Sequence, residues 1–580
     1  MAGVGDFTIS DGGQGGVAGA GGDPTVACEV DLCPEPPPCQ VAICTEAGCG
    51  TEPVPADTAC TAAGGDHCDG AGRCVKSQGK GCAVDEECAS GLCVDDICCA
   101  TTCEGPCQRC DDPDAAGICT PLPAGRVGGC TEGSCDGTDS NLCATGDYRY
   151  QHVGGDGSRQ RTSALFGGRD HHFFALDFTG QVMVDGGSYV GNGDDIMVVR
   201  SDQAGVIDHV RHDSLGGNQE VLDIVEAGDG AVTLVGLYGG TNTSFVGPPL
   251  VNGGGTSAFA LRLAPDMTPI WQKDFFESNA NQLARGVVAL PKGLVVVGGD
   301  MRGSFEQLST PSTSDADVFL VALEPNHGAT AWQRSFGDAN NEQRLSGLDA
   351  GPAGALALAG EFEGAIDFGG GPFTAGSFQD GYVAVLDAEG SHLWSHHLAV
   401  NAGDVLTVTR VVMRRDGSVV VLGSLDGTLS ISGGASLTSL QDQRSDLFLL
   451  AFDATGQLIW AHLWGNGIYN QTPGGLATDR WGNVAVAGGF RGPLSFGGPP
   501  LHSAGLSDDD AFVVKLAADG TPLWAKRFGA ANDDDRATQV AFDADGQVLV
   551  GVDLRSTADF GGGAVTSQGD VDFAVVCFAP

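Results

Sequence analysis

The sequence predicts an all-β protein, and three observations support this. Glycine makes up 92 of 580 residues, about double the usual ~7% and without the period of collagen. Short extended segments follow one another, separated by Gly and Asp turns and without helical periodicity. One motif also returns every 61 to 66 residues. We therefore expect many short strands arranged as structural repeats.

The repeat is clearest in residues 510–529, DAFVVKLAADGTPLWAKRFG. Apolar residues alternate from Phe512 to Leu516, Asp519-Gly520 supplies turn residues, and an extended pattern resumes around Trp524. This pattern predicts a strand, a turn and a strand, which we expect to form the inner part of the sixth repeat.

Three elements recur along the chain from about Arg161. The strand that begins with DAFVVKL has seven copies, which start at residues 195, 257, 317, 380, 446, 510 and 572. A Gly-rich segment that ends in DFGG or SFGG follows an apolar run in several repeats. A tryptophan strand has five copies, at Trp271, Trp332, Trp394, Trp460 and Trp524.

Each repeat therefore offers about four short strands, the content of one propeller blade. Apolar runs such as FVVKL suit a blade, because neighbouring blades cover both of its faces. We predict a seven-bladed β-propeller over residues 148–580, preceded by a small, irregular, disulfide-rich domain. The five tryptophans are structural in this prediction: each ring fills the wedge between adjacent sheets, and its N–H bonds a neighbouring backbone.

Closure of the ring is predicted from the two ends of the repeat region. The last repeat ends at Pro580, directly after DFAVVCF, and so lacks its tryptophan strand. The segment RTSALFG, residues 161–167, precedes the first full repeat and is similar to LWAKRFG. We expect residues 161–167 to pair with the strand that starts at Asp572, because a closed ring leaves no open sheet edge.

The repeats resemble the bacterial seven-bladed β-propeller repeat (SBBP-type) family, whose signature runs through G-x-F-x-G-x-x-D-F-G-G, D-x-F-V-x-K-L and W-x-K-x-F-G. The sixth and seventh repeats match it best. The first departs from it, with IDHVRHDSLG from Ile207 in place of the tryptophan strand. The resemblance implies a surface-exposed protein and no assigned activity.

The N-terminal region differs in composition. Residues 1–27 read as a Gly-rich flexible tether, and 20 of the 21 cysteines lie between Cys28 and Cys143. We predict a disulfide-stapled region over residues 28–147, which implies an oxidising compartment. Zinc is the competing use of the thiols, but Cys107-Gln-Arg-Cys110 is a single CxxC without a partner at finger spacing. Adjacent Cys98 and Cys99 are expected to join two separate bridges, with a vicinal disulfide as the alternative.

Residues 81–125 resemble the cysteine-rich modules of secreted proteins and lipoproteins of myxobacteria. The features that match are a closing Pro-Ala-Gly and the spacing of nine disulfide candidates: Cys82, Cys88, Cys93, Cys98, Cys99, Cys103, Cys107, Cys110 and Cys119. The resemblance implies export and display at the outer-membrane surface or secretion. The chain shows no signal peptide, so we expect that its start is misassigned or truncated.

Charge and hydropathy narrow the range of expected binding partners. The chain carries 74 acidic and 29 basic side chains, a formal net charge of −45, which disfavours nucleic acids and anionic membrane surfaces as partners. No apolar run approaches the ~18 residues of a membrane span. We expect a monomer that binds a protein or glycan of the cell envelope or matrix.

Candidate chemistry is sparse. No residue set is predicted to be catalytic, to bind a cofactor or to bind a metal. Acidic clusters at residues 508–510 and 533–535 make calcium an alternative, but Asp and Gly are also what hairpin turns require. The alternative function is a hydrolase or quinoprotein-like enzyme with a site in the central channel. The quinoprotein-like alternative rests on the segment FDATGQLIW at Phe452, which is similar to the tryptophan-docking motif of that family. Convergent polar side chains at the channel mouth would favour the enzyme.

Overall fold

The computed structural model describes the chain from residue 30 to residue 580, except for residues 31–32, 46–47, 63–64, 95–96, 102, 104–107, 111–115, 122–133, 136–142, 240–242, 251–255, 276–281, 307, 310–314, 377, 441–442 and 532. The predicted tether lies outside the described residues. The chain divides into a cysteine-rich unit, residues 1–104 and 109–120, and a propeller unit, residues 105–108 and 121–580. Within the described residues there is no α-helix, and therefore no helix long and apolar enough to cross a membrane.

The propeller has seven antiparallel blades, which confirms the predicted fold class. Six are four-stranded sheets, and the sheet of blade 4 has six strands because the hairpin of residues 428–438 pairs with its fourth strand. The first strands contact one another around a central channel. In blade order the first strands are Gln160–Gly167, Asn218–Glu226, Gln282–Ala289, Gln343–Ala350, Val405–Met413, Gln471–Thr478 and Arg536–Phe542. The second strands are His171–Phe178, Val232–Gly239, Val295–Met301, Leu356–Phe362, Val419–Asp426, Val484–Phe490 and Val548–Leu554.

The third strands are the recurring apolar segments that the sequence identified. They are Asp195–Asp202, Ser257–Leu263, Asp317–Leu323, Asp380–Leu386, Asp446–Phe452, Asp510–Leu516 and Asp572–Phe578. The last six are buried at every position, because a neighbouring blade covers each face. The fourth strands are Ile207–Asp213, Pro269–Asp274, Thr330–Phe336, His392–Val400, Leu458–Trp464, Pro522–Phe528 and Tyr148–Gly154.

The segment 510–529 is the outer half of blade 6, so the expectation that it forms the inner part is wrong. Asp510–Leu516 is the third strand, and Pro522–Phe528 is the fourth and outermost. The Gly-rich element of the repeat forms a small hairpin between the second and third strands. The hairpins are Gln181–Val184 with Gly187–Val190, Ser304–Phe305 with Leu308–Ser309, Ala365–Ile366 with Phe373–Thr374, Thr428–Ile431 with Ala435–Thr438, Pro493–Leu494 with Leu501–His502, and Thr557–Asp559 with Ala564–Thr566.

The ring is closed by an N-terminal strand, as predicted, but the predicted strand is wrong. Tyr148–Gly154 pairs with Asp572–Phe578, so that Tyr150 lies opposite Cys577. Residues 161–167 belong instead to the first strand of blade 1 and pair with His171–Phe178. The outer strand tolerates Tyr148–Gly154 because its residues are only half-buried, whereas Gln160–Gly167 alternates buried and half-buried positions against two neighbours.

Hydrogen bonds fix this seam. The Ala579 N–H donates to Asp147 O at 2.7 Å, and the Thr145 N–H donates to Pro580 O at 3.0 Å. The Tyr150 hydroxyl and His172 Nδ1 share a hydrogen bond, and His172 Nε2 lies 3.2 Å from Asp543 Oδ2. The seam therefore joins blade 7 to blade 1 through side chains as well as through the sheet.

The cysteine-rich unit is held by disulfides between short strands. Gln40–Thr45 pairs with Gly48–Pro53, His67–Cys68 with Cys74–Val75, and Cys93–Val94 with Ile97–Cys98; Gln108–Arg109 and Thr120–Pro121 form a further pair. A short 3-10 helix spans Asp85–Glu87. Ser134–Cys135 and Cys143–Ala144 form a two-stranded sheet in the propeller unit.

Seven disulfides lie within the described residues: Cys33–Cys49, Cys39–Cys68, Cys60–Cys74, Cys82–Cys93, Cys88–Cys98, Cys99–Cys110 and Cys103–Cys119. Cys98 and Cys99 thus join separate bridges, while Cys107 lies outside the described residues. Described thiols that come within ligand distance of one another are all in these disulfides, which leaves them unavailable to zinc. Cys577 is free and fully buried in the last strand.

Candidate functional site: the channel and its mouth

The five predicted tryptophans lie on the fourth strands of blades 2 to 6, far from the channel. Three indole N–H groups donate to the backbone of the next blade: Trp271 to Pro325 O at 2.8 Å, Trp394 to Ala454 O and Trp460 to Ala518 O, both at 3.2 Å. The Nε1 atoms of Trp332 and Trp524 have no such partner. These three hydrogen bonds join neighbouring blades.

The same contact recurs at the seam with a glycine from the N-terminal segment. In blade 3 the turn residue Gly328 has φ +64° and lies against the Trp271 ring. Gly146 has φ +63°, and a Cβ there would lie 2.7 Å from the Trp524 ring. Only glycine fits both the left-handed backbone and the close approach. Gly146 of the N-terminal segment therefore packs against the tryptophan ring of blade 6 as the turn glycine Gly328 packs against the tryptophan ring of blade 2.

The central channel contains a cavity of about 360 Å³, lined by all seven first strands. Each first strand carries a β-bulge at the same place. A bulge re-aims the side chains that follow it. The residues directly after it differ from blade to blade: Ala164, Asp223, Gly286, Gly347, Arg410, Gly475 and Gln539.

Two carboxyls line the channel, and burial raises the pKa of both Asp223 and Asp349 to about 6. Asp223 Oδ2 accepts the Val287 N–H at 2.8 Å, and Asp349 Oδ2 accepts the Met413 N–H at 2.7 Å. Each donor belongs to the next blade. Each Oδ1 accepts the N–H of the following residue. Both carboxyls are therefore committed to hydrogen bonds that tie blades together.

The mouth is the end of the channel where the first strands begin and the second strands end. In three blades an arginine of the first strand lies opposite an acid of the second strand. These cross-strand pairs are Arg161 with Asp177, Arg344 with Glu361, and Arg536 with Asp553. Arg285 and Asp300 form a fourth pair, 2.5 Å apart, in blade 3.

The acids of the mouth lie beneath the arginines. Asp300 and Glu361 are buried and accept backbone N–H groups from the next blade, from Leu345 and Val408, both at 2.7 Å. The side chains of Arg161, Arg344 and Arg536 are 41%, 54% and 44% exposed. Guanidinium groups are thus exposed at the mouth, together with carboxylates such as that of Asp534, which is 45% exposed and lies 3.7 Å from Arg536.

Burial has the largest influence on the pKa values of Asp177 and Asp553. It raises the pKa of Asp177 to about 7 and that of Asp553 to about 6. The nearby Glu220 carboxylate raises the pKa of Asp177 further, while Arg161 acts in the opposite sense on Asp553.

The acidic clusters considered for calcium serve turns and ion pairs. Asp509 lies 2.8 Å from Arg536 and 3.0 Å from Arg491. Asp535 accepts the N–H groups of Arg555 and Ser556, at 2.7 and 3.1 Å. Carboxylates are not grouped at metal-ligand distance anywhere in the described part of the chain.

Sequence reasoning did not find the mouth residues. The Trp and DAFVVKL motifs mark the third and fourth strands, whereas the first strands share little besides a buried glutamine at the start. That glutamine recurs as Gln160, Gln219, Gln282, Gln343 and Gln471. Because Gln160 directly precedes residues 161–167, this recurring glutamine could have indicated that the segment belongs to a first strand.

No protein-family model and no curated protein matches this chain. Solved structures that align with this chain include BamB from Moraxella catarrhalis, at 13% identity over 74% of this chain and 100% of that chain, with a TM-score of 0.34. A PL25 ulvan lyase aligns at 9% identity over 73% and 96%, with a TM-score of 0.40. Quinohemoprotein alcohol dehydrogenase from Comamonas testosteroni aligns at 11% identity over 74% and 76%, with a TM-score of 0.34. These likenesses carry no argument about activity.

Proposed function

We propose that this protein is a binding scaffold of the cell exterior, in which a rigid propeller presents an arginine-surfaced mouth to a protein or glycan. The observation that carries the proposal is the layering of the mouth, with exposed guanidinium groups over buried acids. Arginine is enriched among residues that dominate binding energy. Arg161 lies 3.4 Å from Asp553 and Arg536 lies 2.8 Å from Asp509. Because these ion pairs restrict the two side chains in advance, less side-chain entropy is lost on binding.

The compartment follows from the disulfides, which persist in oxidising environments. Seven bridges among the described residues support an extracellular location. We further propose display on the outer-membrane surface as a monomer. This rests on the resemblance of residues 81–125 to myxobacterial modules and of the propeller to the bacterial seven-bladed repeat family.

An enzyme with its site in the channel is the second candidate, and the convergent polar side chains of the mouth favour it. Carboxyls with raised pKa values in a cavity are typical of active sites. A general base, however, needs an oxygen that reaches the substrate proton. The hydrogen bonds already made by Asp223 and Asp349 support the scaffold instead.

The test compares capture by three forms of the full, oxidised chain: wild type, Arg344→Glu and Arg480→Glu. Arg480 is an exposed arginine at the opposite end of the blade 6 strands and serves as the matched control. Each is exposed to envelope and matrix fractions. We expect one partner to be captured by wild type and Arg480→Glu, and to be lost with Arg344→Glu.

Equal capture by all three forms would refute a partner that binds at the mouth. Turnover in a broad hydrolase and dye-reduction screen, abolished by Asp223→Asn or Asp349→Asn, would establish the enzyme instead.

A further inference from the structure

A groove opens beside the mouth between blades 1 and 2. Its volume is about 520 Å³, within the ~300–1,000 Å³ typical of small-molecule sites. We call it the blade 1–2 groove. Its polar lining includes Arg159, Arg161, Asp177, Asp194, Gln219 and Glu220.

Several polar atoms of this lining have no protein partner. Asp177 is 5% exposed and its Oδ1 accepts no hydrogen bond, and Gln219 is fully buried with a free Oε1. The Nε group of Arg159 likewise has no hydrogen-bond partner, whereas that of Arg161 lies 3.4 Å from Asp553 Oδ2. A buried polar group without a partner is destabilising, and native structures contain few such groups. A free Oε1 also recurs at Gln282 and Gln471, the equivalent glutamines of other blades, so Asp177 Oδ1 and Arg159 Nε are the groups that point to a polar ligand in this groove.

The free groups define the ligand. Asp177, Gln219 and Glu220 offer oxygen acceptors, which suit the hydroxyl groups of a sugar ring. The two guanidinium groups suit a carboxylate or sulfate, which they bind with paired, charge-assisted hydrogen bonds. Arg159 is held 2.7 Å from Asp194 and Arg161 is 3.4 Å from Asp553, so both are fixed before a ligand arrives.

We propose that the blade 1–2 groove binds a single acidic sugar residue at the end of a glycan. This inference deepens the proposed scaffold function and rests on it. The net charge of −45 repels a long polyanion, so the glycan enters by its end and its remaining length is neutral. Gly217 and Gly239 in the groove wall let the sugar ring approach the backbone closely.

The test titrates the full, oxidised chain with a glucuronate-terminated disaccharide and with its glucose-terminated counterpart, by calorimetry. We expect the acidic disaccharide to bind at least ~10-fold more tightly, in line with a charge-assisted pair. Arg159→Gln is expected to remove this preference. Arg200→Gln is the matched control and is expected to keep it, because Arg200 forms a similar pair with Asp208, at 2.8 Å, at the other end of blade 1.

A second variant guards against misfolding. Asp177→Asn keeps the shape of the side chain but replaces an acceptor by a donor, so it is expected to weaken binding by ~10-fold while making the protein more stable at pH 8. A purely structural Asp177 would change stability alone. Lower affinity together with higher stability therefore supports the site.

Equal affinity for the two disaccharides, or acidic-sugar binding that survives both Arg159→Gln and Asp177→Asn, would overturn the inference. No measurable binding of the acidic disaccharide would also overturn it. The scaffold proposal would still stand in that case if Arg344→Glu abolishes envelope capture. It would fail if capture is unaffected, so the two failures are distinguishable.

Discussion

The cysteine-rich unit and the propeller are stabilised in opposite ways. The first has few buried side chains and is cross-linked by disulfides along its described length, whereas the second buries six of its third strands completely and keeps Cys577 as a thiol. A short chain with little core relies on covalent staples. The propeller instead relies on inter-blade packing and on one seam. Reduction of the disulfides and removal of the closing strand should therefore affect the stability of the two units differently.

Reduction should give the largest effect. Loss of a native disulfide typically costs about 2–5 kcal/mol in a small domain, so a reducing agent is expected to unfold the cysteine-rich unit completely. The seven blades should keep their unfolding transition, because Cys577, the one cysteine of residues 148–580, is already a thiol. Limited proteolysis followed by mass spectrometry measures both. A parallel collapse of the propeller would contradict the contrast.

Removal of the closing strand should be nearly as damaging. A chain that starts at residue 157 lacks Tyr148–Gly154 and exposes the edge of Asp572–Phe578, with a loss of several kcal/mol. A chain that starts at residue 121 keeps the strand and is the control. We expect cooperative thermal unfolding of the second chain only. Normal unfolding of the shorter chain would show that the seam is dispensable.

The buried acids should make the propeller less stable as pH rises. An acid whose pKa is raised on folding binds its proton more tightly in the folded protein, so the unfolding free energy falls between its unfolded value, near 4, and its folded value. For Asp177 this window is about pH 4 to 7. Asp177→Asn is expected to match wild type at pH 4 and to exceed it at pH 8, by on the order of a few kcal/mol.

Urea unfolding at pH 4, 6 and 8 measures this difference. Asp533→Asn, at an exposed carboxylate, is the control and should follow wild type. A constant offset between Asp177→Asn and wild type at all three pH values would contradict the assignment.

The smallest effect concerns the tryptophan contacts. Trp271 donates a hydrogen bond across a blade boundary, whereas Trp332 lacks that bond. Replacement by phenylalanine removes ring volume at both sites but a hydrogen bond only at Trp271. We expect Trp271→Phe to cost about 1 kcal/mol more than Trp332→Phe, measured by urea unfolding. Equal costs would show that the bonds contribute nothing.

The sequence predicted the parts of the fold that repeat. The DAFVVKL strands and the tryptophans recur because every blade needs the same buried layer and the same contact to its neighbour. The mouth was not predictable in this way. At the position after the bulge three blades have glycine, whereas the others have Ala164, Asp223, Arg410 and Gln539, so no side chain repeats at this position of the channel wall.

The closing strand was misassigned for a related reason. Pairing by similarity favoured residues 161–167, because RTSALFG resembles the end of a tryptophan strand. The outermost position, however, demands little beyond alternation and a few large side chains, which Tyr148 and Tyr150 supply. The buried glutamine at Gln160 carried the more specific information.

The seam also decides where the candidate site lies. With Tyr148–Gly154 as the closing strand, Arg161 lies at the mouth opposite Asp177; with residues 161–167 as the closing strand, it would lie on the outer rim and the blade 1–2 groove would not exist. Cysteine cross-linking tests this directly, because Tyr150 lies opposite Cys577 in the sheet. Antiparallel partners have Cα atoms about 4.5–5.5 Å apart, within reach of a disulfide.

The decisive measurement is peptide mapping of Tyr150→Cys after mild oxidation, with Arg161→Cys as the matched variant. We predict a linked peptide that joins residues 150 and 577 in the first variant and none that joins 161 and 577 in the second. The reverse pattern would contradict both the closure and the site.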